Sequence, residues 1–133
     1  MTYILDTNIV TKILKGKLSI KKKLLNLIIE GNEILINVIT YYEIKRGLLD
    51  SNAVKKLVIF NQLCREFGLI FLDDRLIFDE AAEIWAMLKK RGKLINDADI
   101  LIASIAKAKN CILVSNDTDF NRIQGLKVEN WST

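Results

Sequence analysis

Short apolar runs alternating with longer stretches of helical periodicity constrain this chain more than any other feature. The runs are Tyr3–Leu5, Glu33–Ile39, Leu69–Phe71, Cys111–Val114 and Leu126–Val128. Each suits a strand and is too short for an independent helix. Parallel strands need a crossover of roughly a dozen residues or more, usually a helix. The stretches between the runs largely supply it. The pattern therefore predicts an α/β fold, three layers deep, with a mostly parallel central sheet and helices on both faces.

Local signals place the helices. Asn8 can cap one from about Ile9 to Lys15, broken at Gly16. Ser19 can cap a second, with Leu24, Leu25, Leu27 and Ile28 as apolar positions and Gly31 as its end. Thr40 opens a third that carries Glu43 in its first turn and runs to about Leu49. Asn52–Phe67 closes at Gly68, and Asp74–Arg91 has Ile77, Ala81, Ile84 and Leu88 along one face. Asn96 or Asp97 caps the last helix, which runs through Ala108.

At 133 residues with 50% apolar content, the chain is expected to form one domain, 1–133, with a real core. Its apolar stretches, such as Ile34–Ile39 and Ile100–Ile105, fall far short of the ~20 residues a bilayer crossing needs. The start lacks the basic segment and long apolar stretch of a secretory signal, so a cytoplasmic location is expected. Cys64 and Cys111 lack the paired spacing of zinc or redox motifs and are expected to be reduced and buried.

The chain contains no histidine. That excludes Ser–His–Asp and Cys–His catalysis, histidine general-base chemistry and histidine-ligated zinc together. Catalysis must rest on carboxylates, lysines, hydroxyls or a metal bound through oxygen. The net charge of +4 is modest, but its distribution is uneven. Lys12, Lys15, Lys17 and Lys21 to Lys23 crowd the first helical region, and Lys89, Lys90, Arg91 and Lys93 form a second group. Such runs suit a solvated face and equally suit contact with a phosphate backbone.

The acids that carry chemistry stand at element junctions. Asp6 ends the first strand, Glu43 opens a helix, Asp97 and Asp99 bracket another helix start, and Asp117 and Asp119 follow the strand Cys111–Val114. A parallel sheet can gather these junctions at one edge, where such folds bind ligands. Carboxylates gathered there raise one another's proton affinity unless a cation offsets them, and a hard ion such as Mg2+ or Mn2+ suits oxygen donors. Each acid also has a structural alternative. Asp6 can shape a turn, Glu43 has capping-box spacing from Thr40, Asp97 and Asp99 favour a helix N-terminus, and Asp117 and Asp119 suit a polar loop.

These residues resemble a known family. Tyr3-Ile4-Leu5-Asp6-Thr7-Asn8 resembles the start of PIN domains, especially the VapC-type toxins of bacterial and archaeal toxin–antitoxin pairs. Glu43-Ile44 with Gly47 is similar to the family's second motif, and Asp99-Ile100-Leu101-Ile102-Ala103 with Ala106 to its third. Leu113 to Asp117 with Asp119-Phe120 resembles the fourth, and Gly125-Leu126 with Glu129-Asn130-Trp131 resembles the VapC ending. The resemblance implies a PIN-like α/β/α domain, usually a homodimer, that cleaves tRNA or another structured RNA and is inhibited by a cognate VapB-like antitoxin. It implies Mg2+ or Mn2+ held by the acids. Asp6, Glu43 and Asp99 match the first three acids, Asp117 or Asp119 the fourth, and Asp97 is an additional acid near the metal. Thr7, Asn8 and Ser115 would orient carboxylates or water. Lys12, Lys15, Lys89, Lys90, Arg91 and Lys93 are candidates for RNA phosphate contact.

Two other functions fit these residues less well. A phosphatase using Asp6 as nucleophile would be expected to carry a second aspartate at position 8, where this chain has Asn8. A non-catalytic binding module would have no need of the complete acid set.

Overall fold

The structure, a computed structural model, describes residues 1–131. Its strands are β1 (Thr2–Leu5), β2 (Glu33–Asn37), β3 (Leu69–Ile70), β4 (Ile112–Val114) and β5 (Lys127–Glu129). They form one sheet in the order β3-β2-β1-β4-β5, and every pairing is parallel. The helices are α1 (Thr7–Leu14), α2 (Leu18–Ile29), α3 (Val38–Asp50), α4 (Val54–Phe67), α5 (Arg75–Lys90) and α6 (Asp97–Ala108).

Alternation along the strands makes the two faces. Tyr3 and Leu5 of β1, with Ile34, Ile36, Ile112 and Val114, pack against α1 to α4. Ile4 and Leu113 point the other way, into the layer of α5 and α6. Burying each such side chain contributes roughly 1.5–3 kcal/mol, so a one-residue slip in β1 would forfeit both cores at once. The expected three-layer architecture is thus observed.

Several element starts differ from the sequence expectation. The strand expected to reach Ile39 stops at Asn37, whose side chain accepts a hydrogen bond from Thr40 N at 2.8 Å and caps α3. The cap outweighs the β preference of Val38 and Ile39, which become helical. Thr40 is therefore inside α3 rather than its cap, and Glu43 lies in the second turn, so no capping box forms. The cap of α1 is Asp6, not Asn8, and α2 begins before Ser19 with no side-chain cap bond. Asn52 takes a left-handed φ of 54°, which delays α4 to Val54. Asn96 caps α6, leaving Asp97 as its first residue. A 3-10 helix, Thr118–Arg122, follows β4 where the sequence suggests only a polar loop.

The order of the strands positions the site. β1 is central, and the chain builds outward from it first through β2 and β3, then through β4 and β5. The junction between β1 and β4 is therefore a topological switch point. Lys109 at the end of α6 reaches Asp73 and Asp74 at the start of α5 (3.6 and 3.8 Å), and Lys107 reaches Glu80 at 3.4 Å. The two helices are antiparallel, which brings the basic end of α5 to the start of α6. Among the described residues no helix is long and apolar enough to cross a membrane. Cys64 and Cys111 are both free thiols, partly and fully buried.

Candidate active site

Asp6 occupies the switch point. It ends β1, caps α1 and is only 4% exposed. One carboxylate oxygen accepts Ile9 N at 3.0 Å and the other accepts the buried Ser115 hydroxyl, which lies just past the end of β4. Burial pushes the Asp6 carboxyl up from its ordinary 3.8 to about 6. The bonds from Ser115 and Ile9 pull it down, and the charges of Asp99 and Asp117 push it up again. Two strand ends and two neighbouring acids therefore meet at this side chain.

Asp99 stands on the first turn of α6. Asn96 accepts from Asp99 N and donates to its carboxylate, both at 2.9 Å, so one residue caps the helix and aims the acid. The Asp99 carboxyl is raised first by burial, against the pull of Asn96, and then by the charges of Asp117, Glu43 and Asp119. Asp6, Glu43, Asp99, Asp117 and Asp119 thus form one electrostatic cluster drawn from four separate elements or junctions.

The two candidates for a fourth acid are separated by their surroundings. Asp117 caps the 3-10 helix by accepting Asp119 N at 2.9 Å, and its own N–H donates to Ser115 Oγ at 3.0 Å. Its charge acts on both Asp6 and Asp99. Asp119 is engaged in an ion pair with Arg122 at 3.2 Å. Asp97 is exposed and is not among the main charges acting on Asp6 or Asp99.

The polar residues proposed to orient the site divide likewise. Ser115 bridges Asp6 and Asp117, and Thr7 donates to Glu43 Oε1 at 2.7 Å. Asn8 is exposed and joins none of these hydrogen bonds. Asn37, which is not among the residues the sequence marks as candidates, is fully buried and bonded to both Leu5 and Thr40. An asparagine closing a β-branched run, with threonine three positions on, was the available signal.

A groove between α1 and α3, lined in part by Thr7, Glu43, Gly47 and Lys56, opens beside the acids. Of the basic candidates, Lys15 lies at the far end of α1, about 13 Å along the helix from Asp6 at ~1.5 Å per residue. Lys12 is half-buried on the same helix. Lys89, Lys90, Arg91 and Lys93 are exposed at the end of α5, on the Asp99 side. Arg122 ties this segment to the 3-10 helix by donating to the Lys93 carbonyl at 3.4 Å.

The donor set fits a hard divalent cation. Every acid of the cluster offers oxygen, and the buried Asp6 carboxylate carries an electrostatic cost that a cation would relieve. Among the described residues no three acids are grouped closely enough to form a ready-made metal site. An open arrangement suits an ion that takes one or two carboxylates and keeps its waters.

A model of the PIN domain matches residues 3–126. Ribonuclease VapC2 of Rickettsia felis is 33% identical over 98% of both chains. The tRNA(fMet)-specific endonuclease VapC of Shigella flexneri is 30% identical over 99% of both. A chain in the crystal structure of VapBC2 from Rickettsia felis bound to a DNA fragment from their promoter matches with a TM-score of 0.88 and 31% identity, covering 99% of this chain and all of that one.

Proposed function

Since this chain belongs to the PIN-domain family, among its VapC-type ribonucleases, we propose that it is a divalent-metal-dependent endoribonuclease, the toxin of a VapBC-type pair, cutting tRNA or another structured RNA. The observation that carries this is the meeting of Asp6, Glu43, Asp99 and Asp117 at the β1/β4 switch point. The cluster of Asp6, Glu43, Asp99 and Asp117 would hold Mg2+ or Mn2+, in part through the ion's own waters. When bound, the ion supplies Lewis acidity toward a phosphodiester and lowers the proton affinity of attacking water. Ser115 keeps Asp6 and Asp117 at a fixed separation, and Asn96 does the same for Asp99. Asp117 is the fourth acid, because Asp119 is engaged by Arg122.

The basic end of α5 guides the RNA backbone toward the acids. Replacing Lys89, Lys90 and Arg91 together by alanine is expected to raise KM for RNA about tenfold and to flatten the log–log salt dependence by about two units, leaving kcat within about twofold. An unchanged KM and salt slope would remove this segment from RNA binding.

A VapB-like antitoxin and a second copy of the chain are the proposed protein partners. Exposed apolar side chains, including Leu25 and Ile29 on α2 and Phe78 and Trp85 on α5, leave surface of the kind partner chains cover. The test of function is brief expression of the wild type or Asp6→Asn, followed by mapping of new RNA 5′ ends. Cuts confined to the wild type and clustered in one class of RNA are expected. Identical maps would overturn the nuclease assignment.

A further inference from the structure

We propose that Asn37, Thr40 and Thr7 form a one-way hydrogen-bond relay that fixes Glu43 relative to Asp6, making Asn37 and Thr40 positioning residues of the acidic site. This deepens the nuclease reading and rests on it for its activity measurements alone.

The direction of the relay follows from counting protons. Thr7 has one hydroxyl proton, which it donates to Glu43 Oε1 at 2.7 Å. The 3.1 Å contact between the Thr7 and Thr40 hydroxyls must therefore use the Thr40 proton. Thr40 Oγ1 in turn accepts from Asn37 Nδ2 at 3.0 Å. Every donor points toward the Glu43 carboxylate. The second proton of Asn37 Nδ2 goes to the Leu5 carbonyl at 3.1 Å, immediately before Asp6. One fully buried amide thus holds the strand end that carries Asp6 and the head of the chain that ends on Glu43.

Helix capping alone does not account for this arrangement. A cap needs only the bond from Thr40 N to Asn37 Oδ1, which an aspartate or serine side chain could equally accept. The two Nδ2 bonds and the two hydroxyl steps add nothing to the cap. What they do is immobilise a long, half-exposed glutamate that has three side-chain torsions to lose. Sites of this kind need their carboxylates held within about 0.5 Å, and supporting hydrogen bonds supply that precision.

Thr40→Val keeps the shape and the capped N–H and removes only the hydroxyl, while Thr40→Ser keeps the hydroxyl. The measurements are Mn2+ binding by calorimetry, metal-free thermal unfolding, and kcat and KM on RNA. Thr40→Val is expected to weaken Mn2+ binding and lower kcat, each by about tenfold or more, with KM for RNA unchanged. Thr40→Ser is expected to stay within about threefold of wild type on the same scale. If Thr40→Val does not fold, Thr7→Val with Thr7→Ser as its rescue makes the same comparison one step along the relay. Wild-type Mn2+ binding and turnover in the valine variant, or a serine variant as impaired as the valine one, would overturn the proposal. A wild type that binds Mn2+ and cuts no RNA would sink the nuclease reading and leave the relay to be decided by Mn2+ binding. A wild type that takes up no Mn2+ would sink both.

Discussion

Asp6→Asn is expected to cut RNA about a thousandfold more slowly than wild type and yet, free of divalent metal at pH 7, to melt at a higher temperature. The loss follows from removing the one acid that meets both Asp99 and Asp117 while ending the central strand. The stability gain follows from its burial. The folded-state value of about 6 lies above the ordinary 3.8, so the folded protein holds this proton more tightly than the unfolded chain. The resulting penalty is absent below pH 3.8, grows between 3.8 and 6, and is complete above 6. A gap of that size corresponds to at most about 3 kcal/mol.

Asparagine recovers only part of it. Its Oδ1 can keep the bond from Ile9 N, but its Nδ2 then faces Ser115, whose hydroxyl must turn from donor to acceptor. A net gain on the order of 1–2 kcal/mol, or about 5 °C in Tm, is the expected result. Single-turnover cleavage and thermal melts in chelator measure both halves. A variant that cleaves like wild type would remove Asp6 from the chemistry, and one that melts lower would show that its carboxylate is not under electrostatic strain.

The placement of Asp6, Asp99 and Asp117 was legible in the sequence because a parallel sheet delivers its strand ends to one edge, and β1 and β4 both stop on polar residues. The order β3-β2-β1-β4-β5 was not, since nothing in one strand's apolar pattern names its neighbour. The family motifs named the fold without naming that order, and the PIN-domain match over residues 3–126 agrees with them. Spacing left Asp117 and Asp119 equivalent, and it did not reveal that Asp117 caps a 3-10 turn while Asp119 pairs with Arg122. Thr40 read as a cap because threonine is a good one, and the β-branched Val38 and Ile39 hid the true cap, Asn37, three residues earlier. The relay was beyond reach for a different reason. Apart from the local Asn37–Thr40 pair, it reaches Glu43 through hydroxyl contacts between positions 33 and 36 apart in sequence, which no spacing announces.

Divalent metal should reverse the stability order of the two proteins. An ion that binds only the folded state stabilises it by about 2.7 kcal/mol at a hundredfold excess over its Kd. For a chain of this size that amounts to a Tm increase of roughly 10 °C. Mg2+ or Mn2+ at pH 7.5 is expected to produce such a shift in the wild type and little or none in Asp6→Asn. The shift should shrink as the pH falls through about 6, because the ion must then displace the proton on Asp6, and Asp99 is raised in the same direction. Without metal the trend runs the other way, since protonation of Asp6 favours the folded form. The metal-bound and metal-free melting curves therefore converge in acid and separate above pH 6. Melts across this range, with chelator and with each ion, test the cluster without any RNA present. A Tm indifferent to both ions at pH 7.5, or an equal shift in Asp6→Asn, would mean that these carboxylates are not a cation site, and the cleavage chemistry assigned to them would have to be abandoned.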